Sequence, residues 1–219
     1  MDYFDIIGPV MIGPSSSHTA GAARIGRVAR DLLGETPVRA DIGLYGSFEK
    51  TYQGHGTDRA VVGGLMGMNV DDPRLRSALR LAKEAGMEVA FRPVPLRGAH
   101  PNTIVLQIAG NSGRTLTVRA ASVGGGRVMI QELNGMEVNF SGEADTLIIR
   151  HLDAPGAIAR VTHVLAEAQI NIATMRVFRK KAGGEAIMAL ELDKLPEAEI
   201  VTALKDLRGI SDVTLLKKR

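Results

Sequence analysis

Residues 146–172 read TLIIRHLDAPGAIARVTHVLAEAQINI, a sequence in which an apolar strand-like run passes through Pro155 into a helical repeat. The residues that follow continue the alternation of short apolar runs and amphipathic segments. The predicted elements are strands over 146–152, 171–179, 185–192 and 213–216 and helices over 155–168 and 196–207. The order βαββαβ is that of a ferredoxin-like split βαβ, so we expect a separate domain over residues 146–219.

The chain up to residue 142 has a different pattern, in which helices come first and short strands follow. The predicted helices cover 14–34, 57–66 and 71–86, and the predicted strands cover 41–48, 88–94, 103–109, 116–122, 127–133 and 136–140. Glycine-rich turns separate the strands. We therefore expect an α+β domain over residues 1–142, joined to the second domain by a short linker at 141–144.

The composition is that of a folded protein: 219 residues, 45% hydrophobic and 23% charged, with a formal net charge of +3. Aromatic residues make up only 4%, and Trp is absent, so the chain has little with which to stack nucleic-acid bases. No stretch approaches the roughly 20 apolar residues of a membrane span, and the N-terminus lacks the features of a secretion signal. We expect a cytoplasmic protein without a nucleic-acid or membrane partner.

Cysteine is absent from the sequence. This excludes disulfides, thiolate nucleophiles, and any zinc or iron–sulfur site whose thiolate ligands come from this chain alone. We assign no metal ligands to the chain.

Residues 13–19 read GPSSSHT and come immediately before the first predicted helix. Hydroxyls, an imidazole and the free N–H groups of a helix N-terminus suit a carboxylate or a phosphate. A helix cap needs only one hydroxyl, so the run favours an anion site over a simple cap. The predicted binding residues are Ser15, Ser16, Ser17 and Thr19, with His18 as a candidate for proton transfer.

Residues 54–58 read GHGTD and open the second predicted helix. Glycines on both sides of His55 favour a backbone that approaches a ligand closely. Imidazole is the side chain best matched to proton transfer near neutral pH. We predict that His55 is the principal catalytic candidate and that Thr57 and Asp58 bind in the same loop; a hydrogen-bonded structural histidine is the alternative.

The sequences DAPGAI at 153–158 and QINI at 169–172 resemble the ACT domain, a regulatory module that binds amino acids. Similarity to the serine-sensing ACT domains of phosphoglycerate dehydrogenases places His151 and Asn171 at ligand-binding positions, with Asp153 in place of an Asn. The resemblance implies an effector site at His151, Asp153, Gly156 and Asn171. The alternatives are that Asp153 caps the helix and that the domain only dimerises.

Four motifs in the first domain, followed by the ACT-like segment, resemble the β-subunit family of the iron–sulfur-dependent L-serine dehydratases. They are FDIIGPVMIGP at 4–14, YGSF at 45–48, GHGTDRA at 54–60 and HPNT at 100–103. The resemblance implies conversion of L-serine to pyruvate and ammonia together with an α subunit whose cysteines hold a 4Fe–4S cluster. In this reading the cluster binds the substrate hydroxyl as a Lewis acid and one of the two histidines moves the proton.

Two alternatives remain open at this point. The serine-rich cap can bind an allosteric anion away from the chemistry, and the whole chain can be a non-catalytic amino-acid-binding regulatory protein.

We also predict a homodimer formed through the second domain, because a single βαββαβ sheet leaves the backbone groups of its edge strands unpaired. Apolar residues serve either a dimer contact or the core of the domain: Ile200, Val201, Leu204 and Leu207 on the second helix, and Ile172, Val177 and Ile187 on the strands.

Overall fold

The computed structural model describes residues 10–218, which divide into two compact units. The first unit comprises residues 10–135 with 139–141, and the second comprises 136–138 with 142–218. The first unit contains a π-helical turn (Ser16–Gly21), α1 (Ala22–Leu33), β1 (Pro37–Gly46), α2 (Ser47–Thr51), α3 (Thr57–Leu65), a 3₁₀ turn (Pro73–Ser77), α4 (Ala78–Glu84), β2 (Glu88–Pro93), β3 (Asn102–Gly110), β4 (Thr115–Gly124), β5 (Arg127–Leu133) and β6 (Met136–Ser141), the strand within which the units divide. Among the described residues, no helix combines the length and the apolar character needed to cross a membrane.

The sheet of the first unit has the strand order β2-β1-β3-β4-β5-β6. Strand β1 pairs parallel with β2 and antiparallel with β3, and the β3–β4 and β4–β5 pairs are antiparallel. Helix α1 packs on β3 and β4 and against α3. Its inward face is apolar and buried at Ile25, Val28, Ala29, Leu32 and Leu33, as the helical spacing of these residues predicts.

Helices α1 and α3 approach each other so closely that glycine is required on both. A Cβ on Gly26 of α1 would lie 2.2 Å from the backbone oxygen of Val61, and a Cβ on Gly64 of α3 would lie 2.0 Å from the backbone oxygen of Ala23. Backbone atoms cannot move aside as a flexible side chain can. The helix pair is therefore fixed at backbone contact, with the π-helical turn at the start of α1 and the loop 54–56 just before α3.

The second unit is an antiparallel four-stranded sheet in the order β10-β7-β9-β8, with two helices. Its elements are β7 (Thr146–Leu152), α5 (Ala157–Glu167), β8 (Ile172–Arg179), β9 (Glu185–Leu192), α6 (Ala198–Lys205) and β10 (Ile210–Leu216). The α+β class and the ferredoxin-like βαββαβ order are confirmed. The core includes Leu147 and Ile149 from β7, Val161 and Leu165 from α5, and Met188 and Leu190 from β9.

The apolar stripe of α6 packs inward, against the core of its own unit. Leu204 is fully buried, and Ile200, Val201 and Leu207 lie against the same core. The stripe therefore gives no support to the predicted dimer contact. The exposed large apolar side chains of this unit are Leu152 on β7, Ile158 on α5, and Met175 and Val177 on the outer strand β8.

Two predicted elements of the first unit differ from the structure. The strand predicted over 41–48 begins earlier and ends at Gly46, because Ser47 and Phe48 start α2. The third predicted helix begins as a 3₁₀ turn after the Asp72 cap and becomes α-helical at Ala78. In both places the apolar period continues across a change of backbone conformation, so periodicity alone does not reveal the boundary.

The helix contact predicts that Gly64→Ala will destabilise the first unit more than Gly63→Ala. Both changes raise helix propensity equally, but the Cβ at Gly63 meets the side chain of Leu75, whereas the Cβ at Gly64 meets backbone. We expect a loss of about 1–3 kcal/mol in the free energy of unfolding for Gly64→Ala relative to Gly63→Ala, measured by chemical denaturation. Equal stabilities of the two variants would contradict the close contact.

Candidate functional site

His18 lies in the π-helical turn and is bonded to a serine hydroxyl at each ring nitrogen. Nδ1 lies 3.2 Å from Ser15 Oγ, and Nε2 lies 3.1 Å from Ser47 Oγ. Ser15 also caps the turn, because its Oγ accepts a hydrogen bond from the backbone N–H of His18 at 3.2 Å. The imidazole is 9% exposed and packs edge-on against buried Phe48. Its orientation is thus determined from three sides.

His55 lies beside His18, in the loop that precedes α3. The two imidazole centroids are 4.8 Å apart with their planes nearly perpendicular. The backbone oxygen of His55 accepts a hydrogen bond from Thr19 Oγ1 at 3.4 Å, which ties the loop to the π-helical turn. Unlike His18, the side chain of His55 is exposed. The structure therefore brings together the two histidines that were predicted from separate motifs.

The environment of His18 favours its neutral form. Burial is the largest cause lowering the pKa of His18, the neighbouring His55 lowers it further, and a hydrogen bond that the ring donates to the backbone of Ser47 opposes both. A neutral, hydroxyl-bonded imidazole donates at one ring nitrogen and accepts at the other. His18 is consequently suited to hold its neighbours in place without carrying a charge of its own.

Sequence reasoning assigned no individual role to Ser47. Its position follows from Gly46, whose φ of 66° lies in the left-handed region and ends β1, and from the carbonyl of Pro101. That carbonyl accepts hydrogen bonds from the backbone N–H groups of Ser47 at 2.8 Å and Phe48 at 3.4 Å. The motifs at 45–48 and 100–103 therefore meet, and together they place the Ser47 hydroxyl on His18. The sequence contained both motifs, but their contact depends on the pairing of β1 with β3, which the sequence does not reveal.

A cavity of about 260 Å³ opens beside His55, and we call it the His55 cavity. It is lined by Ile12, Gly13, Pro14, Thr19, Gly54, His55, Gly56, Arg59, Ala60, Leu75 and Arg76. Of the predicted site residues, Thr19 and His55 contribute to its wall. Two arginines, Arg59 and Arg76, line it without having been predicted.

The other predicted binding residues of the first domain do not line the His55 cavity. These are Ser15, Ser16, Ser17, Thr57 and Asp58. Thr57 is fully buried at the start of α3, and its hydroxyl has no hydrogen-bond partner in the described part of the chain. Asp58 is 8% exposed, and its carboxylate accepts a hydrogen bond from the backbone N–H of Arg59 at 2.8 Å. The binding roles predicted for these two residues stay predictions.

The predicted effector residues of the second unit are engaged within that unit. Asp153 accepts hydrogen bonds from Arg179 Nη1 at 2.8 Å and from the backbone N–H of Gly183 at 3.1 Å, and these contacts, the Arg179 bond first, lower the pKa of its carboxyl. Asp153 does not cap α5, whose N-cap is Gly156. Asn171 donates to Asp193 Oδ2 at 2.8 Å.

His151 is separated from Asn171 along the sheet. His151 pairs with Ala186 at one end of β9, whereas Asn171 contacts Asp193 just beyond the other end. Six residues of strand correspond to about 20 Å. His151 is 2% exposed, its Nδ1 donates to the Leu152 carbonyl at 2.8 Å, and its Nε2 has no partner within residues 10–218. One copy of the chain therefore does not bring these two predicted residues into a single pocket.

The described residues offer no set of metal ligands. The sequence has no cysteine, and within the described ranges no group of three or more His, Asp or Glu side chains is placed to hold a metal ion. The residues of this chain do not fit a 4Fe–4S cluster.

The described residues therefore place two histidines with different surroundings at and beside a small cavity, in an α+β unit followed by a ferredoxin-like unit. Comparison with known proteins identifies the family of the chain. Residues 2–92 match the family model "Serine dehydratase beta chain", and residues 146–209 match "ACT domain". The chain belongs to the serine dehydratase beta-chain family.

Three relatives illustrate the relationship. The probable L-serine dehydratase beta chain of Bacillus subtilis is 46% identical over 96% of both chains, and the L-serine dehydratase beta chain of Peptoniphilus asaccharolyticus is 36% identical over 87% of this chain and 86% of its own. The D-3-phosphoglycerate dehydrogenase of Bacillus subtilis is 31% identical over 90% of this chain but only 37% of its own length. The similarity to this longer protein extends over most of both units of the chain.

The low pKa of His18 predicts a contribution to the pH dependence of stability. The unfolded chain binds a proton near the usual histidine pKa of about 6.5, whereas folded His18 resists it, so the free energy of unfolding falls as pH drops below that value. We expect a smaller fall in His18→Gln, measured by denaturant unfolding at about pH 7.5 and about pH 5.5. His163→Gln, which removes an exposed imidazole, is the matched comparison for the loss of one histidine. Identical behaviour of His18→Gln and wild type would contradict the assignment.

Proposed function

We propose that this chain is the β subunit of an L-serine dehydratase and converts L-serine to pyruvate and ammonia together with an α subunit. The observation that carries the proposal is the 46% identity to a probable L-serine dehydratase beta chain over 96% of both chains. The absence of cysteine is consistent with half of a two-subunit enzyme, in which the α subunit supplies the ligands of a 4Fe–4S cluster and hence the Lewis acid for the substrate hydroxyl. A cytoplasmic location remains part of this proposal.

In this proposal His55 is the catalytic base. Dehydration of serine takes a proton from Cα, breaks the Cβ–O bond and releases water, and hydrolysis of the resulting enamine as its imine then releases ammonia. His55 is exposed and lines the cavity, so it is accessible to a substrate. His18 does not line it, and both of its ring nitrogens are bonded to hydroxyls. We assign His18 as a positioning residue that holds the His55 ring, and Thr19 as the residue that holds the His55 backbone.

The second unit is proposed to form a homodimer through β8. This strand is at the edge of its sheet and carries Met175 and Val177, which are 42% and 38% exposed. Within one chain His151 and Asn171 lie at opposite ends of the sheet, so only a second copy could bring an Asn171 near His151. An effector site for a small amino acid at His151, Asp153, Gly156 and Asn171 therefore depends on the dimer.

A second candidate function is a regulatory protein that binds an amino acid without chemistry. It is favoured by one observation, the 31% identity to a stretch of D-3-phosphoglycerate dehydrogenase, an enzyme of a different reaction. Co-purification separates the two functions, because a cysteine-bearing partner with an iron–sulfur cluster supports the dehydratase and a transcription factor or transporter supports the regulator.

The dehydratase proposal predicts that His55→Ala lowers kcat by about 10²–10⁴ in the complex with the α subunit, because a general base is lost. Pyruvate release from L-serine is the measurement. His163→Ala is the matched control, since this histidine lies on the exposed side of α5 with its side chain 71% exposed, and it should leave turnover unchanged. Normal turnover of His55→Ala would remove His55 from the mechanism. Pyruvate formation by the isolated, metal-free chain would contradict the two-subunit enzyme.

The dimer proposal predicts that Met175→Asp shifts the intact chain from dimer to monomer, because a charge would be buried at the β8 edge. Sedimentation equilibrium at micromolar concentration measures the mass. Ile158→Asp on α5, where the side chain is 41% exposed, is the control and should leave the dimer intact. A monomeric wild-type chain would defeat the proposal.

A further inference from the structure

The His55 cavity is lined by two arginines, whereas the site residues predicted in the first domain include no arginine or lysine. Arg59, Arg76 and His55 are among the residues that line it, and no Asp or Glu of the described residues does. Its volume of about 260 Å³ is slightly below the usual range for drug-sized ligands, about 300–1,000 Å³. Such a cavity favours a small anion.

Of the two arginines that line the His55 cavity, Arg76 is the one without a carboxylate partner among residues 10–218. It lies in the 3₁₀ turn after Asp72, and the carboxylate of Asp72 is already used by Arg74, with Nη2 and Oδ2 2.6 Å apart. Asp72 also caps the turn by accepting from the backbone N–H of Arg74 at 2.9 Å. Within residues 10–218, Arg76 is exposed and has neither a hydrogen-bond nor an ion-pair partner. Its guanidinium is available to a ligand.

Arg59, in the first turn of α3, is held more firmly. Its Nε lies 3.7 Å from Asp58 Oδ1, and its Nη2 donates to the backbone oxygen of Gln53 at 3.4 Å. These contacts span the loop that carries His55. Asp58 offsets part of the Arg59 charge, so Arg59 is suited to support an anion that Arg76 binds directly.

We propose that Arg76, supported by Arg59, binds the carboxylate of the ligand in the His55 cavity. The assignment of that ligand as serine depends on the proposed function, whereas the binding of a carboxylate does not. It replaces the serine-rich cap as the carboxylate site, because Ser15 is engaged by His18 and none of the three serines lines the cavity.

The geometry of arginine explains why this site selects a carboxylate. The planar guanidinium donates two parallel hydrogen bonds to the two oxygens of a carboxylate, which fixes orientation as well as position. A carboxylate held in this way places its α carbon within the cavity that His55 lines. Pairing the carboxylate with a cation also makes the α proton more acidic, which assists removal by the base.

The test uses the isolated chain and two fragments of serine in a low-chloride buffer, since chloride competes for arginine. β-Hydroxypropionate retains the carboxylate and lacks the amine, and ethanolamine retains the amine and lacks the carboxylate. Binding is followed by NMR titration of wild type, Arg76→Gln and the control Arg80→Gln. Arg80 is an exposed arginine of α4 that pairs with Glu84 and does not line the cavity.

We expect Arg76→Gln to weaken β-hydroxypropionate binding by about tenfold or more, the loss expected for a charge-assisted hydrogen bond. The affinity for ethanolamine should not change in Arg76→Gln. The affinity of Arg80→Gln for β-hydroxypropionate should equal that of wild type. Equal affinity of Arg76→Gln and wild type for β-hydroxypropionate, or no binding by wild type at tens of millimolar, overturns the proposal. Lost association with the α subunit at unchanged carboxylate affinity makes Arg76 a subunit contact and also overturns it. If the chain binds a carboxylate through Arg76 but supports no dehydratase activity, the proposed function is rejected and the proposed carboxylate site is kept.

Discussion

The backbone contact between α1 and α3 determines the geometry of the candidate site. Because Gly26 and Gly64 have no side chain, the helices meet at their main chains, at a spacing that even one methyl group on either residue would prevent. The turn before α1 carries His18, and the loop before α3 carries His55. The 4.8 Å separation of the imidazole centroids is therefore a consequence of helix packing, and the Thr19 hydrogen bond to the His55 carbonyl adds a local tie.

The two imidazoles are chemically different because their surroundings differ. Burial and the neighbouring His55 lower the pKa of His18, and the hydroxyls bonded to both of its ring nitrogens fix its orientation. His55 is exposed at a cavity whose wall carries two arginines. Enzymes commonly assign separate roles to similar groups by giving them different environments. A buried ring next to an accessible one, with two arginines at the same cavity, is consistent with the proposed removal of a proton from a small carboxylic acid.

Much of the fold could be predicted from the sequence, and the failures share a physical cause. The second unit was predicted element by element because its strands and helices have clear periods of two and 3.6 residues. The end of β1 at Gly46 and the role of Ser47 were not predicted, since they depend on a carbonyl of Pro101 that the sheet register brings near. The sequence around Arg76 did not indicate a binding role, because that role depends on Arg74 pairing with the carboxylate of Asp72, which leaves Arg76 without it. The apolar stripe on α6 could be recognised in the sequence, but the sequence could not decide between a dimer contact and the core of the unit, where the structure places it.

Side-chain NMR titration of the histidines in the isolated chain tests the account most directly, because it measures the coupling of the two rings that the helix contact imposes. The account predicts that His18 titrates below the usual histidine value of about 6.5 and that His55→Gln raises the pKa of His18, since a neighbouring positive charge is removed. A His18 that titrates at or above the usual value, and that does not respond to the change at His55, would contradict it.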